Sequence, residues 1–357
     1  MSEGFHGSDR CGTFWPMRRC IVAATVGFCA CVAAHQALAV GLPPRWEESV
    51  VLIEAARIRG QTCPPNPRKT TTNSADKSTP LESKQPDHCP SATGFLMQIC
   101  GMSLVFSNRH VFESAEKINR PIFMRVQNVR GEHVRLPIGR KWHHHPDDAV
   151  DVGASLVDIP KGTSQKDLKL TFFNEDRDRT AEKPTSFLLK IEDLRAGDDI
   201  LLVGFPSAIP AIQEILEVED RPLLRAGIIS MVLPGETVIG RQSRRNVFLV
   251  DSWAFQGNSG SPVFSRPSFL RYGDDRSNVN FNRPYIVGVV SSFLNWDAGI
   301  RPLATRGEVA TTNAGLAVVQ AADAIEEVAA VFPEAVCPPT HSREGKQENA
   351  PALPPSS

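Results

Sequence analysis

One short segment of the sequence has the residue types that nucleophilic catalysis needs. It spans residues 256–262, reads QGNSGSP, and lies between two apolar runs. A nucleophilic serine needs two backbone N–H groups turned toward one point, where they stabilise the oxyanion of a tetrahedral intermediate. Gly257 permits that turn because glycine adopts φ values that other residues avoid. The segment therefore predicts Ser259 as a nucleophile beside the N–H groups of Gly257 and Ser259, although taken alone it is also compatible with a simple turn.

A histidine suited to activate such a serine follows another apolar run. His110 stands in the segment SNRHVF, residues 107–112, directly after a predicted strand at residues 103–106. A serine nucleophile needs a general base that takes its proton and later returns it to the leaving group, and imidazole titrates near neutral pH. An isolated histidine at a strand end more often has a structural role. Together with the serine segment, however, His110 is predicted to be the base.

A carboxylate is also needed, because it fixes the tautomer of the histidine and orients its ring. Three aspartates stand close together in the sequence, at Asp147, Asp148 and Asp151. Asp151 is favoured because an apolar strand, predicted at residues 152–157, follows it immediately. The other two are typical of a solvated turn.

The elements that must position these residues are predicted to be short strands. Apolar runs separated by turn residues recur along the chain, which is typical of a β-barrel or sandwich. A polar stretch at residues 161–184 divides them into two sets, so we predict two β lobes. The first set is at residues 49–53, 95–100, 103–106, 122–126, 134–138 and 152–157, and the second at 187–191, 200–204, 223–231, 247–250, 262–264 and 286–291.

Three other segments do not fit the strand pattern. Residues 60–92 contain six prolines among polar residues and are predicted to form a long surface loop. Residues 318–331 carry apolar residues at helical spacing and predict a C-terminal helix. Residues 333–357 are rich in Pro, Glu and Ser and predict a disordered tail.

Taken together, the sequence resembles the chymotrypsin family of serine peptidases, especially bacterial proteases of the Deg/HtrA type. The matching segments occur in the family's order, His then Asp then Ser, within residues 48–330. They are ATGFL at 92–96, SNRHV at 107–111, DVGA at 151–154, VGFP at 203–206, GIIS at 227–230, GNSGSP at 257–262 and IVGVVS at 286–291.

The resemblance implies an all-β fold of two antiparallel six-stranded β-barrels with a C-terminal helix, and an active site in the cleft between the barrels. The first barrel would span about residues 48–160, the second about 185–315 and the helix 318–331, within one peptidase domain at residues 40–332. The resemblance further implies that His110 is the base, Asp151 its orienting partner and Ser259 the nucleophile. The N–H groups of Gly257 and Ser259 would form the oxyanion hole.

Two residues near the nucleophile depart from the family's pattern. Ser261 stands where the family usually has a second glycine after the nucleophile. Asn258 stands where members activated by trimming carry an aspartate that pairs with a new N-terminal amine. An amide cannot make that ion pair, so activation by N-terminal cleavage is not expected. No peptide-binding domain of the Deg/HtrA kind is expected after residue 332.

Substrate specificity is weakly encoded. By the resemblance, Trp253 would lie at the base of the primary specificity pocket and Phe293 near its wall. No carboxylate is placed to pair with Arg or Lys of a substrate, so a small or shallow apolar pocket is the hypothesis.

The leading functional hypothesis is an exported serine endopeptidase, a hydrolase that acts on polypeptides through an acyl-enzyme. A non-catalytic binding or chaperone-like protein on the same fold is the alternative, and an ester-specific hydrolase is a lesser one. With 39 Lys and Arg against 40 Asp and Glu, the charge gives no argument for a nucleic-acid partner. No cofactor is predicted. A zinc site at His143, His144 and His145 is disfavoured because consecutive histidines cannot all face one ion from a regular strand.

The N-terminus predicts export. Residues 1–39 read as a signal peptide with cleavage after Ala39, and Met17 is a possible start. A lipoprotein anchored at Cys29 or Cys31 is a weaker alternative. The mature chain would be secreted or periplasmic, with no stable membrane insertion and an oligomeric state that the sequence does not indicate. Four cysteines would remain in it: Cys63, Cys89, Cys100 and Cys337. They allow two disulfides in three connectivities, among them a Cys63–Cys89 bridge, with free thiols as the alternative.

Overall fold

The structure is a computed structural model that describes residues 46–56, 88–174, 187–207, 221–267, 284–298 and 310–336. The predicted signal peptide at 1–39, most of the predicted loop at 60–92 and most of the predicted tail lie outside these residues. Within them, no helix is both long and apolar enough to cross a membrane.

Seven strands and one helix form the first half of the molecule. They are β1 (Val50–Ala56), β2 (His88–Ile99), β3 (Met102–Ser107), α1 (Arg109–Lys117), β4 (Ile122–Gln127), β5 (His133–His144), β6 (Gly153–Val157) and β7 (Phe173–Asn174). The strand order is β1-β4-β5-β6-β3-β2, and β2 also pairs with β1, so six antiparallel strands close into a ring. The two-residue strand β7 adds to β2 in parallel.

The second half contains the remaining strands and a terminal helix. They are β8 (Asp199–Gly204), β9 (Leu223–Ile239), β10 (Gln242–Asp251), β11 (Pro262–Ser265), β12 (Ile286–Ala298), β13 (Ala310–Ala321) and α2 (Asp323–Ala329). The six strands form a closed barrel in the order β10-β13-β12-β11-β8-β9. The predicted all-β fold of two six-stranded barrels with a C-terminal helix is confirmed.

Each barrel has its own apolar core. The first buries side chains from all its long strands, among them Leu96, Val105, Met124 and Leu136. The second buries a corresponding set, among them Leu202, Phe248, Val263, Val287 and Val319. Removal of these side chains from water is the dominant favourable contribution to folding.

The predicted helix at residues 318–331 starts several residues before the observed helix. Residues 318–321 belong to β13, and the helix begins only at Asp323. Val319 pairs with Phe248 of β10 and with Val290 of β12, so it is buried between two neighbouring strands. Pairing on both sides suits β-branched residues and outweighs the helical spacing of the apolar residues.

Three smaller predictions also need correction. Residues 88–92 belong to β2 and not to the surface loop, because they pair with β1. The predicted strand at 187–191 is reduced to a single bridge from Leu188 to Ile286, followed by a short 3-10 helix at Ile191–Asp193. Helix α1 was not predicted, and it begins at the residue just before His110.

Candidate active site

His110 and Asp151 are in direct contact. His110 lies in the first turn of α1, and Asp151 lies in the loop between β5 and β6. The His110 Nδ1 is 2.8 Å from Asp151 Oδ2, and the His110 backbone N–H donates to Asp151 Oδ1 at 3.1 Å. With Nδ1 donating to the carboxylate, Nε2 of the neutral ring is the nitrogen that can accept a proton. The imidazole is 48% exposed, so a substrate can reach it.

The Asp151 carboxylate is buried and well supplied with donors. Its side chain is 11% exposed, and Ser291 Oγ donates to Oδ2 at 2.7 Å. Burial alone would raise the pKa of Asp151, but hydrogen bonds from His110 and Ser291 outweigh it and hold the pKa below its usual value. The carboxylate is therefore ionised at neutral pH and can orient the histidine ring.

Arg244 of β10 stands behind this pair. Its Nη1 donates to Ser291 Oγ at 3.0 Å and is 3.7 Å from Asp151 Oδ2. Ser291 thus accepts from the guanidinium while it donates to the carboxylate. Asn108 also holds the aspartate loop, because its Nδ2 donates to the Asp151 carbonyl at 2.8 Å.

Ser259 lies in the loop between β10 and β11, and the first barrel anchors this loop through Thr93. The buried Thr93 Oγ1 donates to the Gly257 carbonyl at 2.7 Å, and the Thr93 N–H donates to the Ser259 carbonyl at 2.9 Å. The Phe205 N–H in turn donates to Thr93 Oγ1 at 2.9 Å. A residue of β2 in one barrel therefore fixes the two carbonyls that flank the expected oxyanion hole in the other.

Glycine is required at Gly257 by both backbone conformation and space. Its φ is +95°, and a Cβ would lie 2.4 Å from the Phe205 carbonyl oxygen. The N–H groups of Gly257 and Ser259 donate to no other residue in the described part of the chain. Both are therefore available to a developing negative charge, which is what an oxyanion hole requires.

The structure accommodates Ser261, the first departure from the family's pattern. Ser261 is fully buried, and a Cβ added at Gly204 would lie 1.8 Å from its Oγ. The missing side chain at Gly204 thus provides the room that the hydroxyl occupies. Asn258, the second departure, donates from Nδ2 to Ser261 Oγ at 3.4 Å and accepts at Oδ1 from Arg225.

His110, Asp151 and Ser259 line one open cavity of about 1050 Å³. Phe293 lines it as well, and Glu236 and Arg244 of the β9–β10 hairpin contribute a polar wall. Trp253 is not among its lining residues. Trp253 is 57% exposed, and its indole stacks on Phe255 with ring centroids 6.1 Å apart.

The three consecutive histidines have separate partners. His145 is buried with Nε2 2.5 Å from Glu327 Oε2, His144 Nδ1 contacts the His145 carbonyl, and the His143 ring packs on Phe332. In the described ranges, no group of three or more His, Cys, Asp or Glu side chains could hold a metal ion.

Sequence reasoning missed four side chains that support the candidate site: Thr93, Arg225, Arg244 and Ser291. Thr93 and Ser291 fall in the segments ATGFL and IVGVVS, which carried the resemblance without a role for either hydroxyl. The two arginines lie in β9 and β10, where no sequence pattern marks them, because their roles depend on strand pairing.

Comparisons with known proteins give one family and several similar structures. The model of the trypsin-like peptidase domain matches residues 92–268. A search of curated protein sequences finds no match.

The solved structures that resemble the chain are distant. The crystal structure of Deg5 shares 14% identity with a TM-score of 0.40, over 72% of this chain and 86% of that chain. The HtrA-type protease AlgW with decapeptide shares 13% with a TM-score of 0.40, over 78% of this chain and 62% of that chain. The protease domain of MamO from Magnetospirillum magneticum, in its apo form, shares 13% with a TM-score of 0.40, over 79% and 96%.

The matched residues 92–268 contain both barrel segments that carry His110, Asp151 and Ser259. This segment of the chain therefore matches the trypsin-like peptidase domain, the family that the sequence motifs resemble.

Proposed function

We propose that the mature protein is an exported serine endopeptidase that uses Ser259, His110 and Asp151. The observation that carries the proposal is the 2.8 Å contact from His110 Nδ1 to the buried Asp151 carboxylate, in a cavity that Ser259 also lines. A histidine held in this way has one ring nitrogen committed to the carboxylate and the other free to act as a base.

The proposed reaction proceeds in two stages, acylation of Ser259 and hydrolysis of the resulting ester. Ser259 Oγ attacks the substrate carbonyl carbon as its proton passes to His110 Nε2, and the N–H groups of Gly257 and Ser259 stabilise the oxyanion. The C–N bond then breaks, and the leaving amine takes the proton from His110. Water attacks the resulting ester with His110 again as base, which releases the carboxylic acid and restores the Ser259 hydroxyl.

Polypeptides are the proposed substrates. The cavity is open and Phe293 lines it, and the proposed primary pocket is small or shallow and apolar. Trp253 is the other residue proposed for the primary pocket. A peptide library should therefore yield cleavage after small apolar residues, whereas a strong preference for Arg or Lys would overturn this part of the proposal.

Export is part of the proposal and rests on residues 1–39, with a secreted or periplasmic destination. N-terminal sequencing of the protein recovered outside the cytoplasm should begin at Val40. Recovery of the uncleaved chain from the cytoplasm alone would contradict it.

Labelling with a fluorophosphonate tests the catalytic proposal. Such a probe phosphonylates a serine only when the hydroxyl is activated, so we expect labelling of the mature protein at Ser259 and none in Ser259→Ala. Ser230→Ala is the matched control, because Ser230 is an exposed serine of the same barrel. No labelling of a folded wild-type protein would instead favour a non-catalytic binding protein on the same fold.

A further inference from the structure

A partly buried arginine lies directly behind the loop that carries Ser259. Arg225 stands near the start of β9, where it pairs with Leu202 of β8. Its Nη2 donates to Asn258 Oδ1 at 2.5 Å, and its Nη1 donates to the Trp253 carbonyl. The guanidinium also lies over the Phe255 ring, 5.5 Å from the centroid. One side chain therefore contacts three of the six residues that precede the nucleophile.

The Asn258 side chain links Arg225 to other residues of the loop by hydrogen bonds. It is fully buried, and Oδ1 also accepts from the Phe255 N–H at 3.0 Å. On the other side, Nδ2 donates to Ser261 Oγ at 3.4 Å. The Asn258 amide thus joins the backbone before the nucleophile to Ser261, two residues after it, and Arg225 holds the oxygen of that amide.

The position of Arg225 is costly, which argues that it does more than fill space. Burial lowers the pKa of Arg225 to about 10, and its Nε has no hydrogen-bond partner among the described residues. Within the described ranges, no carboxylate pairs with this guanidinium. Removing a cation from water costs free energy that neutral acceptors alone do not fully offset, a cost that an apolar side chain of similar size does not carry.

We propose that Arg225 is a positioning residue that holds the 253–258 loop in the shape in which the Gly257 and Ser259 N–H groups face one point. The inference rests on the proposed peptidase function and adds to it how the oxyanion hole is held. The guanidinium supplies a permanent cation at the Asn258 side chain. The loop is then ordered by the fold itself, with no need for an amine created by cleavage.

Three variants test this role. Arg225→Met removes the charge and keeps most of the apolar stem, and Arg225→Lys restores a cation that can reach only one of the two oxygens at a time. Arg120→Met is the matched control, because Arg120 is a partly buried arginine that donates to the Ala55 and Ala56 carbonyls in the first barrel.

The first readout is the rate of phosphonylation by a fluorophosphonate, measured beside thermal unfolding. We expect Arg225→Met to slow phosphonylation about 100-fold, since small displacements of oxyanion donors have effects of that size. Arg225→Lys should recover part of the rate. Arg120→Met should keep the wild-type rate even where its melting temperature falls. A wild-type rate in a folded Arg225→Met protein would overturn the inference.

The second readout separates failure of this inference from failure of the proposed function. Hydrogen exchange of peptides that cover residues 253–261 can be followed whether or not the protein reacts with the probe. We expect Arg225→Met to speed exchange there and to leave peptides of the first barrel unchanged. If the wild type is not labelled, the proposed function fails, and exchange still decides whether Arg225 holds the loop. Unchanged exchange in the loop would refute the role of Arg225 in either case.

Discussion

At the scale of single residues, Ser291 is the side chain whose contribution is easiest to isolate. Its hydroxyl donates to Asp151 Oδ2 at 2.7 Å, and His110 supplies the other two donors to that carboxylate. Hydrogen bonds to charged groups contribute about 1.5–3 kcal/mol. We therefore expect Ser291→Ala to slow phosphonylation of Ser259 about 10-fold, measured beside Ser230→Ala as the control.

Ser291→Ala should also change the pH at which the protein unfolds in acid. The pKa of Asp151 is lowered in the folded state, so its ionised form stabilises the fold above the unfolded pKa of about 4. That stabilisation is lost as the pH falls through the folded-state pKa. Removing a donor brings the two pKa values closer, so Ser291→Ala should unfold at a higher pH in an acid titration followed by tryptophan fluorescence. An unchanged midpoint would contradict the contribution of this hydrogen bond.

Two glycines with similar positive φ values allow the cost of backbone strain to be measured apart from the cost of a steric clash. Gly257 has φ +95° and no room for a Cβ, whereas Gly131 has φ +85° and nothing within 4 Å of the added atom. A left-handed conformation costs an ordinary residue roughly 1–2 kcal/mol. Gly131→Ala should lose about that much stability in urea unfolding and keep its reactivity. Gly257→Ala should lose more and should react far more slowly, and equal effects in the two variants would be the contrary result.

The sequence allowed some residues of the site to be predicted and not others. His110, Asp151 and Ser259 each lie beside an apolar strand in a recognisable segment, so their chemistry and order suggested them. Ser291, Arg244 and Arg225 become neighbours of the site only through the closure of the second barrel. No local pattern in the sequence encodes such a neighbourhood.

At the scale of elements, helix α2 is held at its start by a partly buried carboxylate. Asp323 Oδ2 accepts from the Ile191 N–H at 2.9 Å. Burial raises the pKa of Asp323 and outweighs the backbone hydrogen bonds that favour the ionised form. The protonated form therefore stabilises the folded state, and this contribution is lost as the pH rises through the raised pKa.

Asp323→Asn removes that titration and keeps an acceptor for Ile191. Relative to the wild type, its free energy of unfolding should increase between pH 4 and pH 7. Chemical unfolding at a series of pH values measures this, with Glu334→Gln as the control because Glu334 is an exposed carboxylate just beyond the helix. A constant difference between Asp323→Asn and the wild type would contradict the assignment.

The elements show where local patterns mislead. The run at 318–321 has helical spacing, yet it forms the end of β13 because β10 and β12 both pair with it. Helix α1 is short and amphipathic, and it was missed because its first residues also complete the pattern of a strand end. Most other strands were predicted because their apolar runs are separated by turn residues.

At the scale of the whole molecule, the cysteines allow a prediction about covalent links. Cys89 lies near the start of β2 and Cys100 directly follows its last residue. A strand rises about 3.3 Å per residue, so they are much farther apart than the 7 Å that a disulfide can span. The remaining cysteines of the proposed mature chain are Cys63 and Cys337.

Cys89 and Cys100 can each pair with either Cys63 or Cys337, and the position of Val336 favours one of these two arrangements. The Val336 N–H donates to the Cys100 carbonyl at 3.2 Å, and Cys337 is the next residue in the chain. We therefore expect Cys100–Cys337 and Cys63–Cys89 bridges in the proposed mature chain. Peptide mapping by mass spectrometry without reduction should find both linked pairs. A Cys63–Cys100 peptide, or free thiols at these four positions, would contradict the prediction.

The central claim for the molecule is that two barrels bring His110 and Ser259 together to cut peptide bonds. Incubation of the mature protein, residues 40–357, with unfolded polypeptides, followed by mass spectrometry of the new N-termini, tests it directly. We predict cleavage at internal peptide bonds by the wild type and a loss of about 1,000-fold or more in Ser259→Ala. Equal cleavage by the two proteins, or no cleavage by a folded wild type, would contradict the claim.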